Sequence, residues 1–185
     1  REVDSSLIEH YFISNNQEVL RLAERNGWIP YHLNLPVYEN VVFSAHQAKI
    51  AKVLPHLFPI INKHEFSMYL DDKLDFNINL LPQFEELLLV DNSPLAMREH
   101  NFLKPNVLSE FSEAMRHKRY FVQRDKSIAY VTNQVKQGFK LDPQQIFLTG
   151  AIFRNMKNPQ VIEINENWYR GILVCGTNCQ ISFDF

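Results

Sequence analysis

The chain has 185 residues, 45% apolar and 12% aromatic, which suits one domain with a substantial core and excludes a disordered chain. Its 19 basic and 21 acidic side chains leave a formal net charge of −2, arguing against a general nucleic-acid or membrane-surface binder. No apolar run approaches the roughly 20 residues needed to cross a bilayer, and the opening REVDSSLIEH lacks the basic-then-apolar pattern of a secretion leader.

The first residue is Arg1 rather than methionine, as in a fragment or a processed chain. The two cysteines, Cys175 and Cys179, are too few for a structural zinc site and read as buried reduced thiols, which points to a reducing compartment.

In chain order, His10 to Ser14 reads as a short buried strand that ends at Asn15-Asn16. Gln17 to Arg25 has helical spacing and stops at Asn26-Gly27. Trp28 to Leu33 reads as an edge strand, because Pro30 has no amide to donate. Ser44 is placed to cap a helix that Pro55 disrupts. Phe66 to Leu70 is a strand, Phe84 to Val90 a helix, and Leu95 to Arg98 another strand. Val107 to Arg116 and Ser127 to Gln137 read as helices, the second stopped by Gly138. Ile146 to Phe153 reads as a strand broken at Thr149-Gly150, and the last long helical region begins at Pro159.

Strands alternating with helices predict an α/β sandwich in which helices cover a mostly parallel sheet. Repeats, low-complexity tracts and linkers are missing from the sequence, so one domain is expected over residues 1–185. With five glycines and no glycine-rich phosphate loop, a dinucleotide fingerprint or a nucleotide-hydrolysing loop is not expected.

The chemistry concentrates in Met68-Tyr69-Leu70-Asp71-Asp72-Lys73. Residues leaving a strand at its carboxyl end sit on the rim where α/β sheets gather ligands. Asp71 and Asp72 could hold a divalent cation that clamps a diphosphate, while Lys73 could neutralise phosphate directly. The alternative is a polar turn whose charges are solvated or paired.

Several ordered segments carry a family resemblance: AKIAKVLPHLF (48–58), MYLDDKLDF (68–76), LAMREHNF (95–102), EFSEAM (110–115), GAIFRNMKNP (150–159), NWYR (167–170) and QISF (180–183). Across roughly residues 8 to 185 the chain resembles a glycosyltransferase-like family, once a domain of unknown function, known from plant pollen-turgor and seed-mucilage proteins and bacterial relatives. The resemblance implies a GT-A-type three-layer sandwich that transfers a sugar from a nucleotide-diphosphate sugar to a glycan or other hydroxyl acceptor, assisted by Mn²⁺ or Mg²⁺. It implies donor binding by Lys49, Lys52, Asp71, Lys73, His100, Arg154 and Gln180, with metal at Asp71 and Asp72. A GT-A domain normally begins with a strand and loop that hold the base, and little sequence precedes Tyr11 to supply them. The expected location is cytoplasmic, or the Golgi lumen for a fragment of a membrane-anchored eukaryotic protein.

One departure concerns the catalytic base. The family's last motif usually has an acid before Gln-hydrophobic-Ser-Phe, and here Cys179 stands in that place. Asp72, Glu113 and Asp184 remain as bases by their chemistry. A degenerate domain that binds a glycan or a partner without transfer is the alternative, and a nucleotidyltransferase is a third reading.

Individual residues have plainer readings too. Lys49 and Lys52 share one helix side at i and i+3, where lysines are ordinary. His56 suits a helix end, Arg154 a structural ion pair, and Trp168 and Tyr169 suit packing, with sugar stacking the sharper alternative. The Arg116 to Tyr120 run reads as a solvated helix end.

Overall fold

The computed structural model describes residues 8–100, 106–143 and 145–185. The opening residues 1–7 and the end of the segment 95–102 fall outside them.

Strand β1 (Tyr11–Ser14), helix α1 (Gln17–Arg25) and strand β2 (Ile29–His32) form a β-α-β unit whose strands pair in parallel. The Asn16 side chain caps α1 by accepting from the Glu18 and Val19 amides, and Gly27 takes the turn beyond it at φ 83°. Pro30 sits in β2 opposite Phe12, in a sheet of two strands where every strand is an edge. Tyr31 against Phe58 and Tyr11 against His64 join this unit to the segment between residues 54 and 65.

Helix α2 (Val41–Val53) begins at Asn40, not at Ser44. The Asn40 carboxamide accepts from the Val42 and Phe43 amides, whereas the Ser44 hydroxyl turns back to the Tyr38 carbonyl. A 3-10 turn at Pro55–Leu57 and the short α3 (Pro59–Asn62) lead into β3 (Phe66–Leu70). Then come α4 (Leu81–Val90), β4 (Leu95–Glu99), α5 (Val107–Ala114), α6 (Lys118–Phe121) and α7 (Arg124–Lys136). Strand β5 (Phe147–Asn155), α8 (Gln160–Cys175) and α9 (Cys179–Phe183) complete the order.

The fold is mixed α/β, but its larger sheet is not parallel. The order is β3-β5-β4, and β5 runs antiparallel to both neighbours. Parallel pairing among the described residues is confined to β1 and β2. The sequence pattern could not separate these cases, because a short buried strand reads as the same apolar run in either pairing.

Side chains alternate across β5, so Ile152 and Phe153 face opposite layers. Ile152 joins Val53, Trp168, Ile172 and Cys179 in a core beneath α2, α8 and α9. Phe153 stacks on Phe66 and meets Phe84 of α4 on the other face. A second core of Val107, Tyr130, Val131, Cys175 and Ile181 joins α5 and α7 to the carboxyl-terminal helices. The strand expected to break at Thr149-Gly150 is continuous, and the irregularity lies in its pairing. Met97 faces Ile152 while Arg98 faces Leu148, so Thr149, Gly150 and Ala151 bulge from the β4 ladder.

Candidate functional site

Because β3 and β4 both oppose β5, they run in the same direction and their carboxyl ends share one rim. Asp71 leaves β3 there, and its amide donates to the Gly150 carbonyl at 2.8 Å. His100 leaves β4 there, and its amide donates to the Ile146 carbonyl at 2.7 Å. The rim expected of a parallel sheet therefore survives the change of topology.

At the β3 end, Lys52 Nζ donates to Asp71 Oδ1 at 3.2 Å, and the Tyr69 hydroxyl donates to the same oxygen at 2.9 Å. Lys52 is only 3% exposed. Burial lowers its pKa, and the Asp71 and Cys179 charges oppose that shift. The ammonium also sits 5.0 Å from the Tyr69 ring centroid. Burial, joined by the Asp71 charge and hydrogen bond, holds the Tyr69 hydroxyl firmly protonated. Gly150 lets the carboxylate come close. A Cβ built there would stand 3.2 Å from Asp71 Oδ2 and 3.0 Å from Leu74 Cδ1.

Cys179 closes the inner wall. Its Sγ lies 3.2 Å from Thr149 Oγ1. Burial by itself would raise the thiol pKa, yet the Lys49 and Lys52 charges, with hydrogen bonds from Thr149 and Lys49, bring it below its ordinary value. The residue that stands where the resemblance expects an acid is thus a thiol whose surroundings favour its anion. Cys175 differs, since burial pushes its thiol up to about 12.

Arg154 lies behind this cluster rather than in it. It is 1% exposed, and its Nη2 donates to the Lys52 carbonyl at 3.0 Å and its Nε to Asn165 Oδ1 at 3.0 Å. Burial lowers its pKa to about 9, and no acid forms an ion pair with it among the described residues. The structural acid expected as its partner is a main-chain carbonyl and an amide, and the guanidinium does not face solvent.

A second cluster forms where β4 ends. Glu110, 7% exposed, accepts from Asn178 Nδ2 at 3.0 Å, and burial raises its pKa against that bond and the His100 charge. Asp184 is pushed up to about 7 by burial and by the Glu110 charge, with the Phe147 amide opposing. Both Asp184 oxygens and Gln180 Nε2 are shielded, and none makes a hydrogen bond of good geometry among the described residues, the Phe147 amide acting on Asp184 only weakly. Asn178 caps α9 by accepting from the Gln180 amide. Sequence reasoning missed Glu110 and Asn178. A buried glutamate in a helix that also carries exposed Glu113 gives no period-based signal.

The remaining expected residues lie outward. Asp72 and Lys73 are exposed in the turn after β3. Glu113 is exposed and pairs with Arg116 at 3.1 Å, so it reaches the second cluster only through its charge on Glu110. Trp168 is a core residue whose Nε1 donates to the Cys179 carbonyl at 2.8 Å.

This donor set does not fit Mn²⁺ or Mg²⁺ at Asp71 and Asp72. One Asp71 oxygen already takes two donors, one of them an ammonium ion, and Asp72 lies in an exposed turn. Among the described residues, no group of three or more His, Cys, Asp or Glu is arranged to hold a metal. Nor is any helix there long and apolar enough to cross a membrane.

Fold and site together define a mixed α/β protein in which Lys52 of α2 meets the partly buried Asp71 at a strand end, beside a thiol whose pKa is lowered. The family model of the TOD1/MUCI70 glycosyltransferase-like domain matches residues 21–147, and the chain belongs to that family. The match bears out the resemblance read from the ordered segments and takes in Lys49, Lys52, Asp71, His100 and Glu113, ending before Arg154, Cys179 and Gln180. Neither the curated proteins nor the solved structures compared with the chain gave a match.

Proposed function

We propose that the domain transfers a sugar from a nucleotide-diphosphate donor to a hydroxyl acceptor on a GT-A-like rim. The observation that carries this reading is the Lys52–Asp71 pair at the carboxyl end of β3, flanked by Lys49. Family membership supports a glycosyltransferase-related role. Lys49 and Lys73 meet the diphosphate, while Lys52, held by Asp71 and the Arg154 bond to its carbonyl, fixes positive charge where the leaving group develops negative charge. The lysines take the part expected of a divalent cation, so no step is routed through metal.

For the base, Asp184 suits the chemistry better than Asp72 or Glu113. A carboxyl titrating at about 7 can take a proton from an acceptor hydroxyl near neutral pH. Gln180, one helical turn before Asp184, and His100, whose charge acts on Glu110, orient the acceptor or the donor sugar.

A non-catalytic glycan-binding domain is the second reading, favoured by one observation: Cys179 stands in the acidic motif position and is 5% exposed. Calorimetry with UDP- and GDP-sugars, with and without Mn²⁺, tests the proposal. Binding that is independent of Mn²⁺ and weakened at least tenfold in Lys49→Ala supports it, and no binding to any donor overturns it. Turnover lost in Asp184→Asn with binding retained separates transfer from binding alone.

A further inference from the structure

On the side of the molecule where the end of α2 meets α8, a hollow of about 220 Å³ is lined by Leu54, His56, Leu57, Glu166, Tyr169 and Arg170. Its walls divide by chemistry. Leu54, Leu57 and the half-buried Tyr169 ring supply an apolar face. Glu166 and Arg170 form an i,i+4 ion pair at 3.1 Å at the mouth, their side chains 45% and 69% exposed.

His56 is the group this arrangement leaves unexplained. Its side chain is only 7% exposed, and both ring nitrogens are shielded from solvent without a hydrogen-bond partner among the described residues. The nearest acceptor, Glu166 Oε1, stands 3.9 Å from Nε2, beyond bonding distance. Buried polar groups in native proteins are nearly always satisfied, so an orphaned imidazole lining a cavity marks a place built for a polar partner. Burial, with the Arg154 charge behind it and Glu166 opposing, lowers the His56 pKa, which leaves a neutral ring with one donor and one acceptor.

We propose that this hollow binds a single pyranose unit of a saccharide. A sugar ring presents an apolar C–H face and a rim of hydroxyls that donate and accept alike. Tyr169 and the two leucines suit the face. Neutral His56, carboxylate Glu166 and guanidinium Arg170 offer acceptors and donors in the mixture that hydroxyls need. The hollow is smaller than the roughly 300–1,000 Å³ of pockets that take drug-sized ligands, which limits it to one ring rather than an extended chain.

The choice of a sugar rests on the glycosyltransferase reading, but the site is separate from the Lys52–Asp71 rim and its occupancy does not require transfer. Saturation-transfer NMR with methyl glucoside, galactoside, mannoside and xyloside tests it on the whole chain, alongside calorimetry with nucleotide sugars. The expected result is saturation of at least one glycoside at millimolar concentration, reduced fivefold or more in Tyr169→Ala and in Glu166→Ala. Glu166→Ala alters an exposed side chain and keeps the test valid should His56→Ala or Tyr169→Ala fail to fold. No saturation of any glycoside, or saturation equal in all variants, overturns the inference. Loss of nucleotide-sugar binding with glycoside binding intact sinks the donor-site reading and leaves this one standing.

Discussion

The Arg154 guanidinium donates to the main-chain carbonyl of Lys52 at 3.0 Å, tying β5 to the helix that carries the buried lysine. The bond spans 102 residues of sequence and satisfies a carbonyl near the end of α2. Arg154→Met should lower the unfolding free energy by about 2–4 kcal/mol in urea titration, through two lost hydrogen bonds and reshaped packing. Arg154→Lys should recover less than half, because one ammonium cannot serve both Lys52 and Asn165 in the planar arrangement of a guanidinium. Equal stability of Arg154→Met and the parent would contradict the bracing role.

Gly150→Ala tests how closely Asp71 is held. The backbone there is not in the left-handed region, so the effect comes from the new Cβ against Asp71 Oδ2 and Leu74 Cδ1. We expect a loss of about 1 kcal/mol, from overpacking at a yielding site. Donor affinity should fall several-fold as the carboxylate leaves Lys52. Unchanged affinity at unchanged stability would show that the Asp71 position is immaterial.

Asp184 gives the fold a pH dependence of known sign. Its folded pKa of about 7 lies above the unfolded value, so the folded state binds the proton more tightly. The favourable contribution is complete below about pH 4, where the unfolded carboxyl is also protonated. It is lost as the pH rises towards 7, and Glu110, raised in the same direction, adds to the trend. Asp184→Asn should flatten this slope. It should gain on the order of 2 kcal/mol over the parent at pH 8, a figure reduced for solvent screening of a partly exposed group. Parallel stability curves for the two proteins would refute the assignment.

The two thiols should titrate separately. Ultraviolet thiolate absorbance should rise in two steps, Cys179 below its ordinary value and Cys175 near 12. In Lys49→Met the first step should move upward while the second stays. A single step above the free-cysteine value would remove the lysine–thiol interaction from the site.

Much of the secondary structure was legible because local signals were strong. Gln17 to Arg25 and Phe66 to Leu70 match the observed elements residue for residue, one bounded by asparagine and glycine caps and the other by acids. The α2 start was misplaced because asparagine and serine both cap, and the choice rests on which oxygen reaches the first amides. Short α3, α6 and α9 left no periodic trace. For the candidate site, strand ends and ordered segments single out Asp71, Lys52 and His100, and the structure sets Asp71 against Lys52 at one strand end and His100 at the next. Glu110 and Asn178 were invisible, since their importance comes from a contact 68 residues apart. Sheet direction was likewise a property of pairing, not of any one segment.

The bulge in β5 separates two tasks that a regular ladder would combine. Arg154, Phe153 and Ile152 keep strict register with β4, while Thr149 and Gly150, released from it, address Cys179 and Asp71. Adding or removing one residue in that bulge would re-aim the contacts at the rim and leave the core register untouched. Chain length at this point is therefore an adjustable dimension of the site, through which such a domain can acquire a new geometry without redesigning its sheet.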